Sequence, residues 1–422
     1  MQAWVALAIL CIVYVLNFLD RQLLSILAKP IQDSLHLTDS QLGRIGGLYF
    51  ALFYCLISIP VGWLADRTNR SRVVAIACGL WSAATMACGL SANYPQLIAS
   101  RMAVGVGEAG GVPPSYAIIA DYFPPGRRGA ALGLYNLGPP IGQALGVAFG
   151  ASIAVMFSWR QAFIVLGGAG LIVALVVAFF VREPRRGGLD AGATRTAATP
   201  VPARPGFLAT VAMFFSNRSL LLMSLACGAT QIITYGAGNF TTLLLMREKG
   251  MTLGQVAVYF ALLVGICMGG GIFVSGRVID RFARVSRRAY GVIPALSLMA
   301  AAPLFLGFVF APGWPAALLF LAGPTALNYF YLSTAVTFVQ EEVRPDQRVL
   351  SGALLLLVMN LIGMGVGPTF VGMVSDFLRA SHPHHSLQLA FLSLTPFYGL
   401  AILLFLTLAV VLKPAATVGA KT

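Results

Sequence analysis

Gly62-Trp63-Leu64-Ala65-Asp66-Arg67-Thr68-Asn69-Arg70 has a counterpart further along the chain, Gly276-Arg277-Val278-Ile279-Asp280-Arg281-Phe282-Ala283-Arg284. Both read G-x-x-x-D-R-x-x-R, and they lie 214 residues apart. Each ends one apolar run and precedes another, so each is a polar loop between two hydrophobic segments. Two further echoes keep the same order: Asp121, Pro125 and Arg128 answer to Glu342, Pro345 and Arg348, and Gly138-Pro139 answers to Gly367-Pro368. Ordered echoes in an apolar chain indicate two related membrane bundles.

The composition agrees. The 422 residues are 58% hydrophobic and 10% charged, where a soluble domain carries roughly 25% charged residues. A helix needs about 20 apolar residues to cross roughly 30 Å of hydrocarbon, and twelve stretches qualify: 3–28, 41–65, 72–92, 95–122, 128–157, 160–182, 219–246, 252–276, 289–311, 313–340, 348–376 and 386–412. They are too long, and too little alternating, for barrel strands. The expected fold is therefore an all-α membrane protein of twelve transmembrane helices in two six-helix halves, 1–182 and 218–422. Residues 183–217, with Pro184, Pro200, Pro202 and Pro205 among Gly, Ala, Thr and Arg, show no apolar periodicity and read as a linker.

The net charge of +14 marks topology rather than a nucleic-acid partner. Of 28 Lys and Arg, twenty fall on one side of the twelve-span arrangement and six on the other (Lys29, Arg44, Arg160, Arg247, Lys249, Arg379), with Arg21 and Arg101 inside. By the positive-inside rule this predicts both termini in the cytoplasm and a multi-pass protein of the cell membrane. No basic stripe interleaves with aromatics in an aqueous segment. The first span lacks a basic n-region and a cleavage site after it, so it is expected to be retained. All six cysteines lie inside apolar spans without C-x-x-C spacing and read as small buried hydrophobes. His382, His384 and His385 read as a solvated loop, and neither a metal nor an organic cofactor is implied.

Four ionisable groups stand inside the spans, all in the first half: Asp20 and Arg21 in span 1, Arg101 and Glu108 in span 4. A charge at membrane depth costs roughly 2.5–3.5 kcal/mol on insertion scales, so each needs a partner, water or a function. At 1.5 Å per residue, Arg101 lies about 9 Å, Asp20 about 12 Å and Glu108 about 20 Å below the outer surface. These depths pair Asp20 with Arg101 and let Arg21 reach Glu108. Asn17 joins Asp20 and Arg21 as a polar patch, and Ser115 continues the stripe of Arg101 and Glu108 at seven-residue spacing. Burial disfavours a carboxylate's charge and a nearby arginine favours it, so a carboxylate between those influences can exchange a proton when its arginine moves. Glu108 first, then Asp20, are the candidate proton carriers, with protons the expected coupling ion. A static ion-pair network is the other reading of the same residues. Arg21 and Arg101 offer planar forks for an anionic headgroup. The second half offers uncharged groups instead: Gln231, Thr234, Tyr235 and Asn239 in span 7, Asn328 and Tyr329 in span 10, Asn360 in span 11. A cavity charged on one wall and mostly apolar on the other suits an amphiphile.

The twin D-R loops and the six-plus-six layout resemble the major facilitator superfamily over nearly the whole chain. Within it, Asn17-Phe18-Leu19-Asp20-Arg21, Arg101 and Gly105-Val106-Gly107-Glu108-Ala109 are similar to spinster-type lipid transporters. The same D-R and R-to-E-A pattern is also similar to the anion and organic-acid symporters. Leu27-Ala28-Lys29-Pro30-Ile31-Gln32 and Trp159-Arg160-Gln161-Ala162-Phe163 favour the spinster-like group. The resemblance implies a secondary transporter working by alternating access on a lysolipid or sphingosine-phosphate type of cargo, as a monomer among membrane lipids. A small organic- or sugar-acid symporter is the alternative; a multidrug exporter, and from another class a receptor or scramblase, rank below it. No cluster of nucleophile, base and orienter suggests an enzyme.

The resemblance also makes the D-R loops gates, with Gly62, Asp66, Arg67, Arg70 and Asp121 in the first half and Asp280 and Arg281 in the second. Arg70 is placed to meet Asp121. Gly138, Gly142, Gly146 and Gly150 recur every four residues and predict close helix packing, with a hinge at Gly138-Pro139 as the second possibility. Gly105 to Gly110 also spells G-x-G-x-x-G, but without a βαβ setting it carries no dinucleotide site.

Overall fold

The computed structural model describes residues 2–184, 207–283, 285–344 and 347–412, with backbone only at Asp66, Pro125, Gly126, Arg128, Gly129 and Val349. Among the described residues, eleven helices are long and apolar enough to cross a membrane. The fourth crossing is made of two shorter pieces, Tyr94–Glu108 and Val112–Tyr122. Together these give the twelve spans. Residues 207–216, inside the stretch read as linker, form a short helix, Phe207–Ser216.

Several spans are broken where the sequence supplies glycine or proline. Span 2 runs as Asp39–Gly46 and Leu48–Arg67, joined at Gly47, and span 5 as Pro125–Tyr135 and Gly138–Met156. The break in span 4 corrects the expectation of one continuous stripe. Ala109 to Gly111 form a tight turn before Pro113 and Pro114, which lack N–H groups to continue a helix. Ser115 therefore sits on a different segment from Glu108 and gives its hydroxyl to Gly111 O at 2.7 Å. Span 8 contains two π turns, Val256–Phe260 and Val264–Met268.

Lipid tails are as apolar as leucine, so helix association here depends on close contact rather than on the hydrophobic effect. The glycine stripe of span 5 serves this purpose against span 1. A Cβ at Gly142 would lie 2.4 Å from Val15 O, and one at Gly146 would lie 2.8 Å from Gln22 Cβ. The G-x-G-x-x-G run has the same explanation. Gly105 meets Phe50 O, Gly107 meets Trp81 N and Gly110 meets Ala77 Cβ, so spans 2 and 3 pack directly on span 4.

Candidate functional site

Span 1 stays helical to Ile26, and span 4 turns sharply just after Glu108. Those two facts bring the four charges together. Arg21 Nε donates to Glu108 Oε2 at 2.6 Å, while Arg101 Nη1 lies 3.7 Å from Asp20 Oδ2. Thr85 of span 3 donates to Asp20 Oδ1 at 2.9 Å. Glu108 is fully buried, Arg101 is 2% exposed and Asp20 4%.

The two pairs differ in how well they are satisfied. Arg21 is ion-paired and lies within 4.9–5.2 Å of the rings of Phe18, Phe50 and Tyr54. Arg101 has a longer ion pair, to Asp20, and its Nε and Nη1 make no hydrogen bond to a described group. Asp20 Oδ2, Glu108 Oε1 and both amide atoms of Asn17 are likewise buried and unbonded. Buried polar atoms are normally paired, so this cluster of unbonded ones makes the spot the candidate site.

A cleft opens between the halves, reached from span 1 by Gln22, the residue after Arg21. Gln22 and Gln143 line its first-half wall, where Gln22 Nε2 donates to Gln143 Oε1 at 3.0 Å. Thr234, Asn328 and Tyr329 line the opposite wall with Phe260, Val264 and Met268 from the π turns. Tyr235 comes within electrostatic reach of Arg21. The other candidates lie elsewhere. Gln231 is buried under span 11, where a Cβ at Gly363 would overlap its side chain. Asn239 gives its amide to Tyr235 O and faces Gly46 across the halves. Asn360 is half-buried and outside the cleft lining.

The face opposite the D-R loops is closed by a clamp that sequence reasoning missed. Thr38 and Gln41 form a capping box that presents Asp39 in the first turn of span 2. Asp39 is fully buried and receives Arg247 Nη1 and Nη2 at 3.1 and 2.9 Å, Arg379 Nη2 at 3.0 Å and Ser375 Oγ at 2.6 Å, all from the second half. In return Asp376 accepts the free N–H groups of Asp39 and Ser40 at 3.0 and 2.8 Å, capping a helix of the other half. Backbones touch directly below the clamp: Gly43 against Pro368 O and Gly47 against Met364 O. The signal in sequence was the T-x-x-Q box, with Arg247 and Arg379 at the ends of apolar runs on the same face.

The family model of the Major Facilitator Superfamily matches residues 10–368. The chain belongs to that superfamily. It is a transporter, not an enzyme. An MFS-type efflux pump of Mycolicibacterium smegmatis is 32% identical over 382 residues, 89% of this chain and 85% of that one. Protein spinster homolog 3 of Danio rerio is 27% identical over 400 residues, 89% of this chain and 78% of that one. A bacterial homolog of the human lysosomal transporter spinster, crystallised inward-facing and unoccupied, superposes with a TM-score of 0.88 at 26% identity, covering 97% of this chain and 98% of that one. The chain is thus a spinster-like facilitator.

At the D-R face of this facilitator, the ion pairs between described residues stay within each half. Arg70 Nη1 meets Asp121 Oδ2 at 2.7 Å. Glu342, the counterpart of Asp121, is ion-paired with Arg287 and accepts Asn217 Nδ2 at 3.3 Å. Arg67 lies over the Trp63 ring, and a Cβ at Gly62 would meet nothing. Asp280 and Arg281 are exposed and make no salt bridge with a described residue. The side chains of Asp66 and Arg128, and all of Arg284, lie outside the described residues.

Proposed function

We propose that this facilitator carries an amphipathic, lipid-like anion or zwitterion of the lysolipid type by alternating access, coupled to protons through Glu108 and Asp20. The observation that carries the reading is the division of the central region. A buried cluster with unbonded donors and acceptors occupies the first half, and a cleft between the halves, lined by uncharged polar and apolar groups mostly of the second, begins at Gln22, the residue after Arg21. Arg101, whose Nε and Nη1 make no hydrogen bond to a described group and whose ion pair with Asp20 is long, receives the anionic head. The apolar side chains of span 8 take the tail. Displacing Arg101 toward cargo leaves Asp20 without its cation, which favours its protonated form and links the two movements. The spinster resemblance supports the cargo class.

The experiment is flux of candidate lysolipids in proteoliposomes under imposed pH gradients. Glu108→Gln is expected to abolish proton-driven accumulation while sparing counterflow, and an unchanged pH dependence sinks the coupling assignment. A second reading, a symporter of small organic or sugar acids, rests on the same fork of Arg101, which fits a carboxylate equally well. Competition of sugar acids against lysolipids for binding separates the two.

A further inference from the structure

Both arginines of the site touch one ring. The Arg21 guanidinium carbon lies 5.2 Å from the centre of Phe50, and that of Arg101 lies 5.4 Å from the same ring. Phe50 is 2% exposed and stacks on Tyr54 at 5.8 Å with an interplanar angle of 13°. A Cβ at Gly105 would lie 2.9 Å from Phe50 O, so the missing side chain there is what lets span 2 bring the ring between the charge pairs' helices. A π face attracts a guanidinium within about 6 Å, more strongly where water is excluded.

The position of Phe50 in span 2 gives the contact a mechanical meaning. It lies three residues beyond Gly47, where the helix carrying Asp39 ends and the next begins. Gly47 has φ −114° and ψ −92°, outside the helical region. The segment before it is held to the second half by the Asp39 clamp and the Gly43–Pro368 contact. Opening that face must move the first segment of span 2 or bend it at Gly47. Either movement reaches the ring on which both guanidinium groups rest.

We infer that Phe50 is the positioning residue that links the state of the clamped face to the two buried ion pairs. When the clamp is closed, the ring holds Arg21 toward Glu108 and Arg101 near Asp20. When it opens, both arginines lose the same support together, which makes the two pairs respond as one. Leucine would fill much of the same space but present no π face. The inference rests on the ion pairs being the working charges of the proposed function, but its test needs neither cargo nor a proton gradient.

The test measures the distance across the clamped face by double electron–electron resonance. Spin labels are placed on Asp33→Cys and His384→Cys, both exposed, with the partly exposed Cys11 and Cys267 replaced. Neutralising one pair with Glu108→Gln is expected to change the closed-to-open ratio on the order of tenfold with Phe50 in place, within the usual range of site-to-site coupling. In Phe50→Leu, and in Phe50→Met should the leucine variant fold poorly, the response to Glu108→Gln falls below about twofold. Phe50→Tyr, which keeps the π face, restores it. An equal response in the leucine and methionine variants overturns the inference, as does no response with Phe50 present, or a tyrosine variant that behaves like leucine. Failure of proton-driven flux with this pattern intact would instead count against the proposed function alone.

Discussion

Replacing Gly43 by alanine attacks the closed face at its tightest point. The added Cβ would lie 2.3 Å from Pro368 O and 2.9 Å from Pro368 C. Ordinary contact begins at 3.4 Å, so the shortfall is about 1 Å. The obstacle is backbone on span 11, and no rotamer change relieves it. The two halves must separate there by about that amount, at the overpacking cost of roughly 1–3 kcal/mol. Because the contact exists only while this face is shut, the cost falls on the closed state and shifts the population toward the open one by about 5- to 150-fold. The label pair described above reads the shift directly, as a longer distance across the face. Gly168→Ala, whose Cβ meets nothing within 4 Å, is the control and is expected to leave the distribution unchanged. A Gly43→Ala protein with the wild-type distance distribution would refute the idea that direct backbone contact seals this face.

Three other substitutions test the remaining assignments. Asp39→Asn leaves Arg247 and Arg379 without their shared carboxylate; a loss of about 3–5 kcal/mol from the closed state is expected, read as a lower unfolding temperature and an opened face, and an unchanged protein would rule out the clamp. Arg101→Lys keeps the charge but loses the fork, so affinity for an anionic cargo should fall on the order of tenfold; equal affinity in a direct binding measurement would remove Arg101 from the cargo site. Gly107→Ala places a Cβ 2.5 Å from Trp81 N and should lower thermal stability by about 1–3 kcal/mol, whereas a neutral effect would contradict the packing explanation of the G-x-G-x-x-G run.

Much of this arrangement is legible in one dimension because the membrane makes it so. The bilayer demands a length of apolar helix for each crossing, and the polar loops that repeat in G-x-x-x-D-R-x-x-R punctuate those lengths. Charges inside the spans stand out for the same reason, and helical rise alone pairs Arg21 with Glu108 and Arg101 with Asp20. The expectation for the second D-R loop was less complete. Glu342 is held by Arg287, three residues beyond the repeat, because the pairing depends on where span 9 starts rather than on the motif.

The twelve spans and the four charges within them could be read from one dimension, since each follows from local composition measured against the thickness of a membrane. Which residues of the two halves meet came from packing in three dimensions. Asp39 and Arg379 are separated by 340 residues, and nothing in the local pattern of either says that they touch. Nor does Phe50 differ in sequence from any other aromatic residue in a span. Its contact with two arginines exists because Gly105 lets span 2 approach span 4 there, and such approach is a property of packed surfaces, not of any one segment.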